Sequence, residues 1–63
     1  MERLERFYKI DQLLKGQKPI PFSTLRDSLG VSAATLKRDL EYMRERFNAP
    51  IEYDREANGY RFG

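Results

Sequence analysis

Four consecutive residues, Leu29-Gly30-Val31-Ser32, constrain this chain more than any other stretch. Gly30 suits the left-handed position just past a helix end. Ser32 suits the N-cap of a following helix, because its hydroxyl accepts from the freed N–H groups of the next turn. One helix must therefore stop and another start within about three residues. Val31 is an isolated apolar residue in that tight connection and is expected to be buried.

The periodicity on either side agrees. Residues 21 to 29 read as a short helix two, with Pro21 in its first turn and Phe22, Leu25 and Leu29 on one face. Residues 33 to 47 read as a longer helix three. Its apolar stripe is Leu36, Leu40, Met43 and Phe47, and its opposite face carries Ala34, Lys37, Arg38, Glu41 and Glu45. Upstream, residues 2 to 15 read as helix one. Leu4, Phe7, Ile10 and Leu14 recur at helical spacing, Tyr8 and Leu13 widen the stripe, and Lys15 and Gly16 close it. Asp11 falls at the edge of that stripe, where a structural pairing with a nearby Arg or Lys is favoured over a functional role. The stretches 16–21 and 48–50 punctuate the chain. After Pro50 the period changes to two: Ile51 and Tyr53 alternate with Glu52 and Asp54, and Tyr60 and Phe62 flank Arg61. Residues 55 to 59 would close a hairpin over 51–62, with positive φ expected at Asn58-Gly59. The expected core is Leu4, Phe7, Ile10, Leu14, Ile20, Leu25, Leu29, Val31, Leu36, Leu40, Met43 and Phe47, covered by Ile51 and Phe62.

Sixty-three residues allow one domain, 1–63, with a small core. The chain has neither cysteine nor histidine. That removes disulfides, the usual zinc, copper and haem ligands, and the commonest nucleophile–base pairs, so no metal, no cofactor and no enzymatic activity are expected. No apolar run approaches a membrane span and no signal-peptide pattern opens the chain, which points to a cytoplasmic protein. The formal net charge is +2, only mildly basic.

A short helix, a glycine turn and a longer capped helix match the helix-turn-helix unit, and a hairpin after it matches a wing. The expected fold is therefore mainly α with a small β-hairpin: a winged helix-turn-helix of three helices and a two-stranded wing. Helix three would enter the major groove of double-stranded DNA by its N-terminus. Its Lys37, Arg38, Arg44 and Arg46 stand against Asp39, Glu41 and Glu45, a net of +1. Position matters more than that sum. Ala33, Ala34, Thr35, Lys37 and Arg38 occupy the first two turns, and the small alanines would let the helix approach the groove floor. Lys37 and Arg38 lie about 100° apart. Lys37, on the side of Ala33 and Arg44, is assigned to base edges. Arg38, on the side of Thr35 and Tyr42, is assigned to the backbone, and Tyr42 is counted with it among the DNA-binding residues. The competing reading is an ordinary solvated helix face with Lys37–Glu41 as an i,i+4 pair. Tyr53 and Tyr60 are expected to pack rather than stack on bases, and Arg55 at the wing tip is the better DNA candidate.

The run Val31-Ser32-Ala33-Ala34-Thr35-Leu36-Lys37-Arg38-Asp39-Leu40, with Ala49-Pro50-Ile51-Glu52-Tyr53-Asp54 and Gly59-Tyr60-Arg61-Phe62, resembles the winged helix-turn-helix domain of bacterial WYL-domain transcriptional regulators, and more loosely DeoR-type repressors. The resemblance covers nearly the whole chain. It implies the DNA reader of a longer, homodimeric regulator, and an isolated chain that is a monomer or weak dimer. By position it makes Ser32 the N-cap and a phosphate contact, Thr35 a hydroxyl facing a phosphate, and Lys37 and Arg38 the basic pair of the recognition helix. Asp39 becomes a structural acid, expected to hold an arginine such as Arg46 or Arg61. One departure is Ala33, where the family often has arginine, and it removes one expected DNA contact.

Two functions remain open on the sequence. The first is sequence-specific duplex DNA binding in transcriptional regulation, most often repression. The second is a winged-helix protein-interaction or dimerisation module, which the modest net charge would suit.

Overall fold

A computed structural model describes residues 2–16 and 18–63. Gln17, inside the first punctuated stretch, lies outside the described residues, as does Met1. The order is α1 (Arg3–Leu14), α2 (Phe22–Leu29), α3 (Ala33–Arg46), β1 (Ile51–Asp54) and β2 (Gly59–Phe62). Among the described residues, three helices and one antiparallel hairpin make the winged helix-turn-helix architecture that the sequence leads one to expect.

Local chemistry sets the boundaries. Gly30 adopts φ 65°, and its N–H donates to the Arg26 carbonyl at 2.9 Å, closing α2. Two residues later Ser32 Oγ accepts from the Thr35 N–H at 3.2 Å, opening α3. Pro21 is the N-cap of α2 rather than a residue of its first turn; its extended ψ of 150° leaves the helix to begin at Phe22. The hairpin pairs Ile51 with Phe62, Glu52 with Arg61, Tyr53 with Tyr60 and Asp54 with Gly59. Its loop is held by Asp54 Oδ1, which accepts from the N–H groups of Glu56 and Ala57.

Positive φ falls on Asn58 alone of the expected pair. Gly59 is instead a strand residue whose missing side chain serves close approach: a Cβ there would stand 2.9 Å from Ile20 N and from the Pro19 Cβ. That approach exists because Ile20 forms a bridge to the wing. Its N–H donates to the Tyr60 carbonyl at 2.8 Å, and its carbonyl accepts from Tyr60 N–H at 2.7 Å. Ile20 thus acts as a third, one-residue strand.

The core is Phe7, Ile10 and Leu14 from α1, Leu25 and Leu29 from α2, Leu36, Leu40 and Met43 from α3, and Ile51 from β1. Ile20, Val31 and Phe62 pack against it half-buried, so Val31 is less enclosed than expected. Two further expected core residues are exposed. Leu4 is 73% exposed and Phe47 55%. The buried arc of α1 is centred on Phe7, Ile10 and Leu14; at about 100° per residue, Leu4 stands roughly 90° from that centre and Tyr8 farther still. Tyr8 is accordingly exposed. Phe47 falls one residue past the end of α3 and lays its ring edge-on against Phe7 and Tyr42 from outside.

Candidate nucleic-acid interface

Helix α3 owes its position to contacts with three neighbours. Leu36, Leu40 and Met43 anchor its inner face in the core. On the wing side, Arg44 Nε donates to the Ile51 carbonyl at 3.1 Å. On the α1 side, Asp39 is buried and takes a two-pronged grip from Arg6, with Nε to Oδ2 at 2.6 Å and Nη2 to Oδ1 at 3.2 Å. Asp39 is therefore structural, as expected, but its partner is Arg6 and not Arg46 or Arg61. Arg61 lies beside Glu52 and Asp54 across the wing, and Arg46 lies near the Tyr42 ring. Donating to Asp39 raises the Arg6 pKa above its ordinary value; burial opposes this and the opposite charge adds to it. Arg6 is charged at every pH where the fold exists.

With the inner face fixed, the outward residues follow from the helical period. Ser32, Ala34, Lys37 and Arg38 are exposed, and Ala33 and Thr35 are half-buried. The Ser32 hydroxyl also donates to Thr35 Oγ1 at 3.1 Å, so the two hydroxyls form one polar edge at the start of α3. Arg38 Nε donates to the Ala34 carbonyl one turn back, at 3.4 Å, which turns the side chain along the helix toward its N-terminus. Lys37 faces the other flank, where it shares a shallow groove with Leu40, Glu41, Arg44, Glu45 and Tyr60. Arg55 is exposed in the wing loop.

Tyr42 stands apart from this group. Its ring stacks on Phe7 at 5.5 Å between centroids and 16° between planes, and meets Phe47 edge-on at 5.7 Å. The Arg3 guanidinium lies over the same ring, 3.9 Å from its centroid. Tyr60 packs on Phe22 and Tyr53, while Tyr53 remains 46% exposed. Asp11 pairs with Lys15 at 3.0 Å, the structural pairing expected of it.

Sequence reasoning missed Arg3 and Arg6, which with Thr35, Arg38 and Asp39 line a concavity between α1 and α3. A signal for Arg6 was present. Asp39 adjoins Leu36 and Met43 at the edge of the buried arc of α3, and a carboxylate there needs a cation from whichever element covers it. Arg46, on the same helix, and Arg61, in the wing, do not cover that arc; the covering element is α1, whose Arg6 is 33 residues away.

Three helices, a two-stranded wing and an exposed, polar-capped start of α3 define a winged helix-turn-helix domain, the DNA-binding regulatory class. Comparison with known families agrees: the chain belongs to the HTH domain family, which matches residues 5–61. That family acts in DNA binding and transcription regulation and is not an enzyme family. No curated protein and no solved structure matches the chain. Among the described residues no helix is long and apolar enough to cross a membrane.

Proposed function

We propose that this chain is the sequence-specific reader of double-stranded DNA in a bacterial transcriptional regulator, acting as a repressor in the cytoplasm and related to the WYL-domain and DeoR-type regulators. The whole of 1–63 acts as one reading unit. The observation that carries the proposal is the outward face of the first two turns of α3, where small Ala34, the Ser32–Thr35 hydroxyl edge, Lys37 and Arg38 are all accessible. Small side chains admit the helix to the major groove. The free N–H groups and positive dipole end favour phosphate at the groove wall. Lys37 reads base edges, Ser32, Thr35 and Arg38 hold backbone phosphates, and Arg55 touches the backbone from the wing. The regulator carrying this domain acts as a homodimer on two-fold sites.

Selection of bound duplexes from a random pool tests the reading and reports the site. On the selected duplex, Lys37→Ala relaxes specificity at one base pair by roughly 1–3 kcal/mol. Arg38→Ala weakens all sequences alike and flattens the salt dependence by about one unit. If both variants bind as tightly as the parent at about 0.15 M salt, α3 is not the reader. The exposed apolar side chains Leu4, Tyr8 and Phe47 favour a second reading, a protein-interaction module. Its binding would show a shallow salt dependence and no selected duplex.

A further inference from the structure

We propose that α1 contributes a phosphate clamp to the DNA interface: Arg3, lodged over the Tyr42 ring, and Arg38, from α3, together grip one backbone phosphate flanking the groove that α3 enters. The inference rests on the DNA-reading proposal and adds to it a second element and a defined role for Tyr42.

Three observations carry it. The first is the charge of the concavity between α1 and α3. Arg3, Arg6, Thr35, Arg38 and Asp39 line it, three guanidinium groups against one carboxylate. That carboxylate is already engaged, since Asp39 is buried and gripped at both oxygens by Arg6. Among the described residues, neither Arg3 nor Arg38 has a carboxylate within ion-pair distance. The exposed charge of the notch is therefore that of Arg3 and Arg38. Thr35 brings the hydroxyl edge of the α3 N-cap to the same notch.

The second observation is how Arg3 is held. Its guanidinium carbon lies 3.9 Å from the centroid of Tyr42 and 5.4 Å from that of Phe7. A guanidinium held over a ring spends no N–H donor on a hydrogen bond there, so its donors stay available to the non-bridging oxygens of a phosphodiester. A long side chain at the first residue of a helix would otherwise be free to rotate, and its ordering would oppose binding. The aromatic platform removes part of that cost before DNA arrives. Tyr42 thus acts on DNA through Arg3, as a positioning residue, and Phe7 and Phe47 fix its ring in turn.

The third is the aim of Arg38. Its Nε is used by the Ala34 carbonyl at 3.4 Å, which leaves both terminal nitrogens for a ligand. The ligand chemistry is a phosphate monoanion at a site open to solvent, and the duplex backbone supplies it once α3 lies in the groove. Lys37 works on the opposite flank of α3, beside Arg44 and Tyr60, so the clamp and the base-reading side chain do not compete for space.

The test compares the parent, Arg3→Ala and Tyr42→Leu on the selected duplex across a salt series, with thermal melts to confirm that each is folded. Arg3→Ala should weaken binding about tenfold at 0.15 M salt, alike for all sequences, and reduce the slope of log K against log salt by about one. Tyr42→Leu keeps the cation, so it should weaken binding while leaving that slope unchanged; Arg3→Ala made on top of it should then cost less than in the parent. A duplex with one uncharged methylphosphonate at the clamped position should bind parent and Arg3→Ala equally. The clamp is refuted if the parent binds with a steep salt slope and Arg3→Ala keeps both affinity and slope, or if Arg3→Ala changes the preferred base at one position. An Arg3-dependent affinity for inorganic phosphate without any effect on the duplex would make the notch a free-anion site and also refute it. If the parent binds no duplex, the reading and the clamp fall together, which the salt series on the parent alone reveals.

Discussion

Gly30 and Gly59 answer two different demands with the same residue type. At Gly30 the backbone is left-handed, φ 65°, and a Cβ would meet nothing within 4 Å. At Gly59 the φ is ordinary for a strand, and a Cβ would strike backbone nitrogen and carbon of Ile20 at 2.9 and 3.0 Å. Gly30→Ala should therefore cost about 1–2 kcal/mol, the strain of one left-handed residue. Gly59→Ala should cost more, because the obstacle is main chain that bridges the wing and cannot rotate aside. Urea titrations of the two variants check the order; a Gly59→Ala as mild as Gly30→Ala would mean that the Ile20 bridge is not formed. The leucines make a second contrast. Leu40, 2% exposed, should cost on the order of 2–5 kcal/mol when cut to alanine, and Leu4, 73% exposed, no more than about 0.5 kcal/mol. Equal melting temperatures for the two variants would contradict the burial pattern.

Between elements, the contact that the sequence announces without naming its partner is the Arg6–Asp39 pair, which pins α3 to α1. A buried carboxylate that loses its cation is left uncompensated, whereas removing both charges removes the need for either. Arg6→Leu should therefore lower the melting temperature more than the double variant Arg6→Leu/Asp39→Leu does. A double variant less stable than Arg6→Leu would assign Asp39 a stabilising role independent of Arg6. The pair also marks the border of what was legible. Local signals carried the order of elements: Gly30 as a stop, Ser32 as a cap, and the change from helical to alternating period after Pro50. The exposed start of α3 followed from them, because once Leu36, Leu40 and Met43 face inward, Lys37 and Arg38 must face out. Non-local facts were not available in that way. Ile20 gave no strand pattern, since one bridging residue has no period. Leu4 shared the spacing of α1, and only the neighbours that cover Phe7, Ile10 and Leu14 decide that its side of the stripe is bare. Arg3 reads as a solvated charge until Tyr42, from another helix, is seen beneath it.

For the whole molecule, size decides how it assembles on DNA. The domain measures 30 × 24 × 19 Å and exposes 4447 Å². A stable dimer of standard interface size covers about 800 Å² on each partner, close to a fifth of this surface. Among the described residues only four large apolar side chains are exposed to supply it: Leu4 and Tyr8 on α1, Phe47, which lines a groove with Tyr8, and Tyr53 on the wing. The expected state is therefore a monomer or weak dimer at micromolar concentration. Half-sites read by helix-turn-helix dimers lie about 34 Å apart along the duplex. The longest dimension of the domain, 30 Å, is close to that spacing, so neighbouring half-sites do not force an extensive contact between two copies. Titration of a duplex carrying two inverted half-sites should accordingly show two independent binding events, each as weak as binding to a single half-site. Sedimentation velocity on the free protein and band-shift titration on the one-site and two-site duplexes measure both quantities. A stable dimer at micromolar concentration, or binding to two sites far tighter than to one, would show that the exposed apolar side chains do form an interface and that this domain supplies its own pairing.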